Sequence, residues 1–528
     1  MEALRRCDRM EGPLRRMDAA SAAGVLFMNK PYWTSTASVP RFPAIGNDLT
    51  VDVVIVGGGI TGITAASLLK RAGATFALLE RGSLASADTG STTAHLTCVT
   101  DVRLHELVRK FGRDHALAVW DAGQAAIEQI REFIGEETID CDFSHVPGFL
   151  HQSLESHTED ESKRLQEDAA IAAELGIGAA YVSKAPLVNL PAVRFPNQAK
   201  FNPRKYLSAL VEVTSGEGCH FFENSDVASI TDDPLQVTSH GCKIRCGHVL
   251  IATHVPLQGI TSTLSAALFQ TKLTAYTSYA VGAKIPGGVY PEACFWDTNN
   301  PYNYVRIDRG VENDYAIFGG EDHKTGQELE ASKRFAQLRE KMISLLPDAT
   351  FDREWSGQVI ETADGLPYIG EVASGQFIAT GFAGNGMTFG TLAAMMFCDE
   401  LSGRSNPWKT LFDVNRKAFP SGAWDYLKEN KDFPYYFLKD RLAKTRSKST
   451  EEIKPGEGCI VDLGGTRVAA YRDENGKLSA KSAVCPHLGC LVRWNEAEHT
   501  WDCPCHGSRF KPTGEVMAGP AESGLQNA

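Results

Sequence analysis

The chain has 528 residues, 43% hydrophobic and 22% charged, so it is long enough for roughly two to four domains that each bury a core. Its 53 lysine and arginine residues are outnumbered by 65 aspartate and glutamate residues, which gives a formal charge of −12. This balance argues against a nucleic-acid partner, and the lack of an apolar run of about 20 residues argues against a membrane span.

Residues 1–50 are predicted to form an N-terminal leader that is partly disordered. A basic segment is followed by a short apolar stretch at residues 19–28, but no small-residue cleavage site comes after it. A disordered leader, or a true start at Met28, therefore fits better than a signal peptide. Residues 29–50 contain three prolines and form an irregular lead-in. We expect a cytoplasmic protein.

Residues 51–80 carry the pattern of a β-α-β unit with a glycine-rich turn. Gly57, Gly59 and Gly62 permit a tight turn and the close approach of a pyrophosphate, and the helix that begins near Ile60 and Thr61 directs its N-terminus at the phosphates. Glu80 ends the second strand, where it accepts a hydrogen bond from a ribose hydroxyl. The pattern predicts a dinucleotide site in a Rossmann-like domain and disfavours NADP. By itself it leaves FAD and NAD open.

The remaining elements are read from periodicity and turn signals. Helices are predicted at residues 101–135, 156–176, 330–346 and 387–402, and residues 215–325 are strand-rich. The charged stretch at 438–454 is predicted to be a linker. Short strands and turns follow it, which is typical of a small all-β domain.

Two blocks near the C-terminus concentrate cysteine and histidine: Cys485, His487, Cys490, Cys503, Cys505 and His506. A Rieske [2Fe–2S] centre needs two cysteines on one iron and two histidines on the other. Cys-x-His in the first block and Cys-x-x-His in the second supply this set, so Cys485, His487, Cys503 and His506 are the predicted metal ligands. A structural zinc site with two cysteines and two histidines is the alternative. The nine other cysteines are interpreted as small buried residues.

Both blocks resemble the Rieske proteins of respiratory cytochrome complexes. In those proteins the additional cysteines form a disulfide between the two cluster loops, which implies a Cys490–Cys505 bond here. A serine and a tyrosine hydroxyl also donate hydrogen bonds to the sulfurs; Ser508 matches the serine, whereas Phe510 stands at the tyrosine position. Because one donor is missing, the reduced state is less stabilised, and we expect a lower potential than in the respiratory centres.

Residues 249–254, 355–357, 364–370 and 381–388 resemble the D-amino-acid-oxidase family of FAD enzymes, which includes glycine and sarcosine oxidases. With the C-terminal blocks, the whole chain resembles bacterial FAD-dependent oxidoreductases that end in a Rieske domain.

This resemblance implies an α/β FAD-binding Rossmann-like domain with an inserted antiparallel-sheet substrate domain (α+β), followed by a small all-β Rieske domain. The implied bounds are 51–437 for the FAD-dependent part, roughly 140–225 and 255–350 for the substrate subdomain, and 455–528 for the Rieske domain.

The resemblance also adds residues to the FAD site. They are Arg81, Thr92, His95, Val227, Thr253, Asp364, Gly384, Gly386, Met387 and Thr388. A helix that starts near Met387 directs its positive end at the flavin edge where negative charge accumulates on reduction. Some relatives attach FAD covalently through a histidine near the position of His95. We favour instead a hydrogen-bonded His95, near the flavin or in the core.

One departure from the family pattern concerns the substrate. In amino-acid-oxidising relatives an arginine two residues past the Trp-x-Gly segment binds the substrate carboxylate, and Val359 stands there in this chain. Amines or larger substrates are therefore favoured over simple amino acids. Arg306 is a candidate replacement or a structural ion pair. His323, beside Lys324, is a catalytic candidate in what is interpreted as a solvated loop, and His95 is the third candidate.

Together these patterns predict an FAD-dependent oxidoreductase that oxidises an amine-type substrate and passes electrons between FAD and a Rieske cluster. The partners are a small-molecule substrate and an unidentified electron acceptor or donor. Two alternatives stay open. One is a non-catalytic redox relay or sensor that works with a protein partner, and the other is an oxygen-using oxidase with a vestigial cluster.

Overall fold

The computed structural model describes residues 30–155, 158–256, 272–328, 330–416 and 450–528. The predicted leader up to residue 29 and residues 438–449 of the predicted linker lie outside the described residues. The described helices are α1 (Ile60–Arg71), α2 (Ala87–Ser91), α3 (Leu104–Phe111), α4 (Arg113–Glu136), α5 (Glu159–Glu174), α6 (Pro203–Thr214), α7 (Ala331–Leu345), α8 (Gly386–Leu401) and α9 (Lys409–Phe412).

The strands fall into an N-terminal and a C-terminal set. The strands before residue 400 are β1 (Leu49–Thr50), β2 (Val53–Val56), β3 (Phe76–Leu79), β4 (His95–Leu96), β5 (Ser144–His151), β6 (Ala180–Val182), β7 (Ala192–Lys200), β8 (Cys219–Phe222), β9 (Val227–Asp232), β10 (Leu235–Ser239), β11 (Cys242–Arg245), β12 (His248–Ile251), β13 (Leu273–Pro286), β14 (Cys294–Asp297), β15 (Tyr304–Asp308), β16 (Asn313–Lys324), β17 (Thr350–Thr362), β18 (Tyr368–Ala373) and β19 (Gln376–Thr380). Those after residue 450 are β20 (Gly458–Leu463), β21 (Thr466–Arg472), β22 (Leu478–Ser482), β23 (Arg493–Asn495), β24 (Thr500–Asp502), β25 (Arg509–Phe510) and β26 (Val516–Ala518).

A six-stranded sheet in the order β18-β19-β12-β2-β3-β8 contains the predicted β-α-β unit. Its strands from β19 to β8 are parallel, and β18 is antiparallel at the edge. Strands β2 and β3 consist only of buried apolar residues, as expected for parallel strands that are covered on both faces. Helix α1 connects them and packs against α6 and α8. This sheet confirms the predicted Rossmann-like α/β domain.

A nine-stranded sheet forms the second layer, in the order β17-β13-β16-β15-β14-β5-β7-β4 with β6 beside β7. All its pairs are antiparallel except β5 with β14. On helix α7, Phe335, Leu338 and Met342 pack against buried residues of β13 and β16, such as Tyr279 and Phe318. The expected substrate sheet is therefore present, and it is mixed at one pair of strands.

Three residues of the stretch 30–50, Trp33, Val39 and Ile45, are buried in the core. Trp33 is 1% exposed in a 3-10 helix at Tyr32–Ser35, and its indole N–H donates to the carbonyl of Thr92 at 2.5 Å. Strand β1 pairs with β11 in a four-stranded sheet in the order β1-β11-β10-β9. Most of the stretch has no regular element, in keeping with the irregular lead-in that its prolines predict, and these contacts attach it to the domain that follows.

The substrate sheet does not follow the predicted subdomain bounds. Helix α6 and strand β8, inside the predicted range 140–225, belong to the parallel sheet, where β8 pairs with β3. Strand β17 carries the substrate sheet past residue 350 to Thr362. A short apolar strand has no local signal for which sheet it joins, so these bounds could not be read from the sequence. Residues 257–271 of the second range lie outside the described residues.

Residues 450–528 form two small antiparallel sheets, β20-β21-β22 and β23-β24-β25-β26. Their shared core contains Trp501, Phe510 and Ala521. This agrees with the small all-β domain predicted here. Nowhere in the described part of the chain is there a helix with both the length and the apolar character needed to cross a membrane.

Candidate functional site

A cavity of about 460 Å³ lies where the glycine-rich turn, the substrate sheet and the C-terminal domain meet. Its walls include residues 57–61 after β2, Glu80 after β3 and residues 382–387 before α8. The carboxyl ends of parallel strands beside a helix N-terminus are where open α/β sheets bind nucleotides. The cavity therefore occupies the position that the glycine motif predicts.

The glycine motif fits a dinucleotide because its turn leaves no room for side chains. Gly57 has φ +110°, and a Cβ added there would lie 2.5 Å from the carbonyl oxygen of Ala252. A Cβ added at Gly62 would lie 2.0 Å from the carbonyl oxygen of Gly57, so this glycine permits close packing behind the turn. The N-cap Gly59 offers no side chain to the first N–H groups of α1. The N-terminus of the helix is thus kept for a ligand.

Glu80 is held at the cavity wall by the turn itself. Its Oε2 accepts a hydrogen bond from the N–H of Gly58 at 2.8 Å, and its Oε1 accepts from the N–H of Gly82 at 2.7 Å. Each carboxylate oxygen keeps a further lone pair. This arrangement is compatible with the predicted bond to a ribose hydroxyl.

A second glycine turn forms another part of the cavity wall. Gly384 has φ +77°, and Gly384, Gly386 and Met387 line the cavity at the start of α8. Asn385 is the N-cap residue of α8, but its side chain accepts no hydrogen bond from the first turn of the helix. It donates instead to the carbonyl of Val99 at 3.0 Å. The positive end of this 16-residue helix therefore faces the cavity, as predicted for a flavin site.

The other predicted FAD residues separate into two groups. Those lining the cavity together with the two turns are Ile60, Thr61, Arg81, Thr92, His95, Val227 and Thr253. Gly62, Asp364 and Thr388 do not line it. Thr388 donates to the carbonyl of Thr97 at 3.0 Å, and Asp364 is ion-paired with Arg416 at 2.7 Å. Asp364 is thus held in the segment between β17 and β18, and Thr388 connects α8 to residue 97; a contact of either with FAD stays a prediction.

His95 lies at the cavity wall, as predicted. Its Nδ1 lies 3.2 Å from the hydroxyl oxygen of Thr93, and its ring contacts Tyr304 edge to face with centroids 5.6 Å apart. Burial, together with the nearby Arg306 guanidinium, lowers the pKa of His95 to about 3. The imidazole is therefore neutral, which agrees with a hydrogen-bonding role.

Arg306 is not placed to bind a substrate. It is 1% exposed and does not line the cavity. Its Nε pairs with Asp308 at 2.9 Å, and its other nitrogens donate to the carbonyls of Thr93, Ala94 and Phe201. Of the two sequence interpretations, the structural ion pair is the one that the contacts support.

His323 lies in a strand, and the expectation of a solvated loop was wrong. Strand β16 runs through it to Lys324, because residues 313–324 pair with β13. Its Nε2 lies 2.9 Å from the hydroxyl oxygen of Tyr279, and its Nδ1 lies 2.9 Å from the carbonyl oxygen of Lys324. His323 does not line the cavity, so its contacts give it no access to a substrate there.

Two acidic residues that the sequence did not single out do line the cavity. Asp101 precedes α3, and Asp322 lies near the end of β16. Desolvation by the surrounding protein raises the pKa of each carboxyl group to about 7. Asp322 is half-buried, and the side chain of Asp101 is exposed to the cavity. They are separated by 221 positions and belong to no motif, so no local signal could have brought them together.

The C-terminal domain brings the four predicted metal ligands together on two loops. The rings of His487 and His506 are perpendicular with centroids 5.0 Å apart. A hydrogen bond with Cys503 lowers the pKa of Cys485 to about 7, against the effect of burial, and the hydroxyl of Ser508 contributes to the lowering. Two sulfurs in contact and two imidazoles in contact are the donor set that a Rieske cluster needs.

Burial lowers the pKa of His487 to about 4 and that of His506 to about 3, so both rings are neutral, as metal ligands must be. The predicted Cys490–Cys505 disulfide is present and joins the two loops. Cys503 Sγ lies within 4.8 Å of both disulfide sulfurs, but those two are unavailable to a metal because they are bonded to each other.

The C-terminal domain docks against the cavity through its cluster loops. Gln358 Nε2, on β17, donates to the carbonyl of Gly507 at 2.8 Å, and Gln327 Nε2 donates to that of Pro504 at 3.3 Å. Arg81 donates to the carbonyl of Met517 at 2.8 Å. Residues 517–519 and Glu522 of this domain line the cavity.

Comparison with known proteins places these features in families. Residues 52–400 match the family described as FAD dependent oxidoreductase (DAO), and residues 444–528 match the Rieske [2Fe-2S] domain. A protein of Bacillus subtilis (strain 168) described as a Rieske 2Fe-2S iron-sulfur protein, YhfW, is 34% identical over 501 residues, which is 93% of this chain and 96% of that protein. The cytochrome b6-f complex iron-sulfur subunit of Chlorobaculum thiosulfatiphilum is 39% identical over 80 residues, or 14% of this chain and 44% of that subunit.

Solved structures agree with the fold. Glycine oxidase from Geobacillus kaustophilus is 19% identical with a TM-score of 0.56, over 70% of this chain and 99% of that one. L-proline dehydrogenase from P. horikoshii is 17% identical with a TM-score of 0.57, over 70% of this chain and 98% of that one. At these identities the likeness concerns the fold alone.

Proposed function

Because this chain belongs to the FAD dependent oxidoreductase (DAO) family and ends in a Rieske [2Fe-2S] domain, we propose that it oxidises an amine-type substrate and passes electrons between FAD and the cluster. Bound FAD supplies two-electron hydride chemistry and the bound cluster supplies one-electron transfer. The residues of the chain supply the two sites and the contact between them.

The observation that carries this proposal is a loop of the Rieske domain that touches both sites. Residues 517–519 and Glu522 line the cavity. In the same loop, the N–H of Ala521 donates to Ser508 Oγ at 3.1 Å, and a Cβ added at Gly519 would lie 2.5 Å from the carbonyl oxygen of Gly507. The loop thus lies directly between the cavity and the second cluster loop. Such contact is the arrangement expected of two redox sites that exchange electrons.

Gln358 holds this contact from the other side. Its side chain lines the cavity and donates to Gly507, while its own backbone N–H donates to Asp88 Oδ1 at 3.0 Å. It is therefore fixed at both ends between the cavity wall and the cluster loop. We assign Gln358 as a positioning residue that sets the distance between the two sites.

The test uses full-length protein with both cofactors, mixed anaerobically with a panel of primary and secondary amines. Flavin absorbance and the paramagnetic resonance signal of the reduced cluster are followed over time. An effective amine is expected to decrease the flavin absorbance first, and the cluster signal then grows. In Gln358→Leu the growth of the cluster signal is expected to slow roughly tenfold, because a small displacement of positioned groups has a large effect on rate.

Gln327→Leu is the matched control, since it removes one bond to the same cluster loop at a residue outside the cavity lining. It is expected to change the rate of cluster reduction by less than about twofold. If an amine reduces the flavin while the cluster stays oxidised, the electron-transfer part of the proposal is wrong. If no amine reduces the flavin, the chain is better described as a relay or sensor.

The cytoplasm is proposed as the compartment. Among the described cysteines, Cys98, Cys141, Cys219, Cys242, Cys246, Cys294 and Cys398 are free thiols outside the cluster loops. Free thiols in this number are typical of reducing compartments. Cell fractionation followed by detection of the native chain tests this assignment.

A further inference from the structure

One end of the cavity is formed by polar side chains from separate parts of the chain. Asp101 Oδ1 accepts a hydrogen bond from the hydroxyl of Tyr302 at 3.2 Å. A Cβ added at Gly384 would lie 3.2 Å from both carboxylate oxygens of Asp101, so this carboxylate lies beside the second glycine turn. We call Asp101, Tyr302, Tyr304 and Asp322 the acidic end of the cavity; all four line it.

The acidic end has unused capacity to accept hydrogen bonds. Asp322 Oδ1 is a buried oxygen that has no hydrogen-bond partner among the described residues. The rings of Tyr302 and Tyr304 are 5.7 Å apart and inclined by 50°. Tyrosine faces and carboxylates are the groups that surround organic cations in proteins. A buried carboxylate oxygen without a donor is costly to the free protein and favours a ligand that donates.

Cationic side chains do not neutralise this end. Arg81 and Arg103 are the arginines in the described cavity lining, which contains no lysine. Arg103 is bound to Asp168 at 2.6 Å and also pairs with Glu161. Arg81 lies next to Glu80 at the nucleotide motif and donates to the Rieske domain. Neither arginine of the lining is recorded in an ion pair with Asp101 or Asp322, and Val359 stands at the position of the family arginine.

Three of the other acidic residues of the lining, Asp297, Asp88 and Glu80, accept hydrogen bonds from backbone N–H groups. Asp297 accepts from the N–H groups of Asn299 and Asn303 at 3.1 and 2.9 Å. Asp88 accepts from the N–H of Gln358, and Glu80 accepts from two N–H groups of its turn. Asp101 and Asp322 differ from these three because no backbone N–H or cationic side chain is recorded on their carboxylates.

We propose that the acidic end binds the ammonium group of a cationic amine between the carboxylates of Asp101 and Asp322, with Tyr302 and Tyr304 against its alkyl part. This inference rests on the proposed function and deepens it, because it names the substrate class as amines without a carboxylate near the nitrogen. It also assigns substrate binding to two residues outside every motif of the sequence.

The test measures binding without oxidation. Tert-butylamine, tert-butanol and pivalate share a tert-butyl group and carry a positive, zero and negative charge. The carbon that bears nitrogen in tert-butylamine has no hydrogen to transfer. Titration calorimetry of the oxidised holoprotein at pH 8 is expected to show binding of tert-butylammonium and none of the other two. Asp101→Asn and Asp322→Asn are each expected to weaken the binding of tert-butylammonium roughly tenfold, or about 1.4 kcal/mol.

Asp226→Asn is the matched control. It removes one negative charge from a residue of the cavity lining that is not part of the acidic end, and should leave the affinity for tert-butylammonium unchanged. FAD content and unfolding temperature show whether each variant is folded, and the two aspartates give independent tests if one variant does not fold. Pivalate binding as tightly as tert-butylammonium, or wild-type affinity in both asparagine variants, would overturn the inference.

Because these probes cannot be oxidised, the two proposals fail in different ways. If the amine panel never reduces the flavin but tert-butylammonium binds through Asp101 and Asp322, the oxidation proposal fails and the cation site stands. If amines reduce the flavin at the same apparent KM in both asparagine variants, oxidation stands and the cation site fails.

Discussion

At the scale of single residues, Ser508 and Phe510 set the surroundings of the cluster sulfurs. Ser508 is fully buried, and its hydroxyl bonds to Cys485 and accepts from Ala521. This agrees with the role that the resemblance implies for the serine. Phe510 is also fully buried, in β25, and carries no hydroxyl to donate. The centre therefore has one of the two side-chain donors found in respiratory Rieske proteins.

Phe510→Tyr is expected to raise the midpoint potential of the cluster, because a new donor stabilises the more negative reduced state. A differential stabilisation of about 1 kcal/mol corresponds to roughly 40 mV for a one-electron couple. A redox titration followed by paramagnetic resonance measures the shift, and Ser508→Ala should move the midpoint in the opposite direction. An unchanged or lower midpoint in Phe510→Tyr would contradict the assignment of the missing donor.

At the scale of elements, the two cluster loops depend on the disulfide that joins them. Cys490 and Cys505 are separated by 15 residues, and Cys490 is 2% exposed in the core of the domain. Closing a loop of this length stabilises a folded domain by about 3 kcal/mol in the chain-entropy account. The small sheets on either side offer limited apolar core, so the loops need this bond to keep the four ligands in place.

The double variant Cys490→Ala, Cys505→Ala is expected to lower the stability of the C-terminal domain by about 3 kcal/mol and to lose its cluster sooner on warming. Cluster absorbance during thermal unfolding is the measurement. Cys459→Ala, which changes a cysteine in β20 of the same domain and outside the Cys490–Cys505 bond, is the control and should keep the wild-type lifetime. Equal cluster lifetimes in the double variant and the control would show that the disulfide has no role in holding the ligands.

At the scale of the whole molecule, the acidic end joins a segment before α3 to the end of β16. The charged and titratable groups that act on Asp101 and Asp322 are these two carboxyl groups themselves, Glu321, and the hydroxyls of Tyr302 and Tyr304. Glu321 is itself paired with Arg334 and Lys341. Burial in this setting raises the pKa of both aspartates to about 7.

Binding of tert-butylammonium is therefore expected to strengthen as pH rises through about 7, since the carboxyl groups are neutral below their raised pKa and ionised above it. The amine keeps its charge until a pH of roughly 10, by analogy with lysine. Dissociation constants measured at intervals from pH 5.5 to 8.5 give the profile, and the Asp101→Asn, Asp322→Asn double variant should have a flat one. Affinity that falls with pH would argue against carboxylate binding.

The sequence by itself determined the features that are complete within a few consecutive residues. The turn at Gly57 and Gly62 requires glycine for local steric reasons, and the cluster ligands lie on two short loops whose spacing is set by the metal. Both could be read from the chain because each requirement is met by neighbours in sequence. The second glycine turn and the disulfide were read in the same way, with the help of the family resemblance.

Only the tertiary structure decided which distant residues meet. It placed Arg306 in a buried ion pair and His323 in a strand, buried Trp33 in the core, and brought Asp101 to the same cavity as Asp322. It also docked the C-terminal domain against the cavity. These outcomes depend on how two sheets and a third domain pack, and packing between residues hundreds of positions apart leaves no period or motif in the sequence.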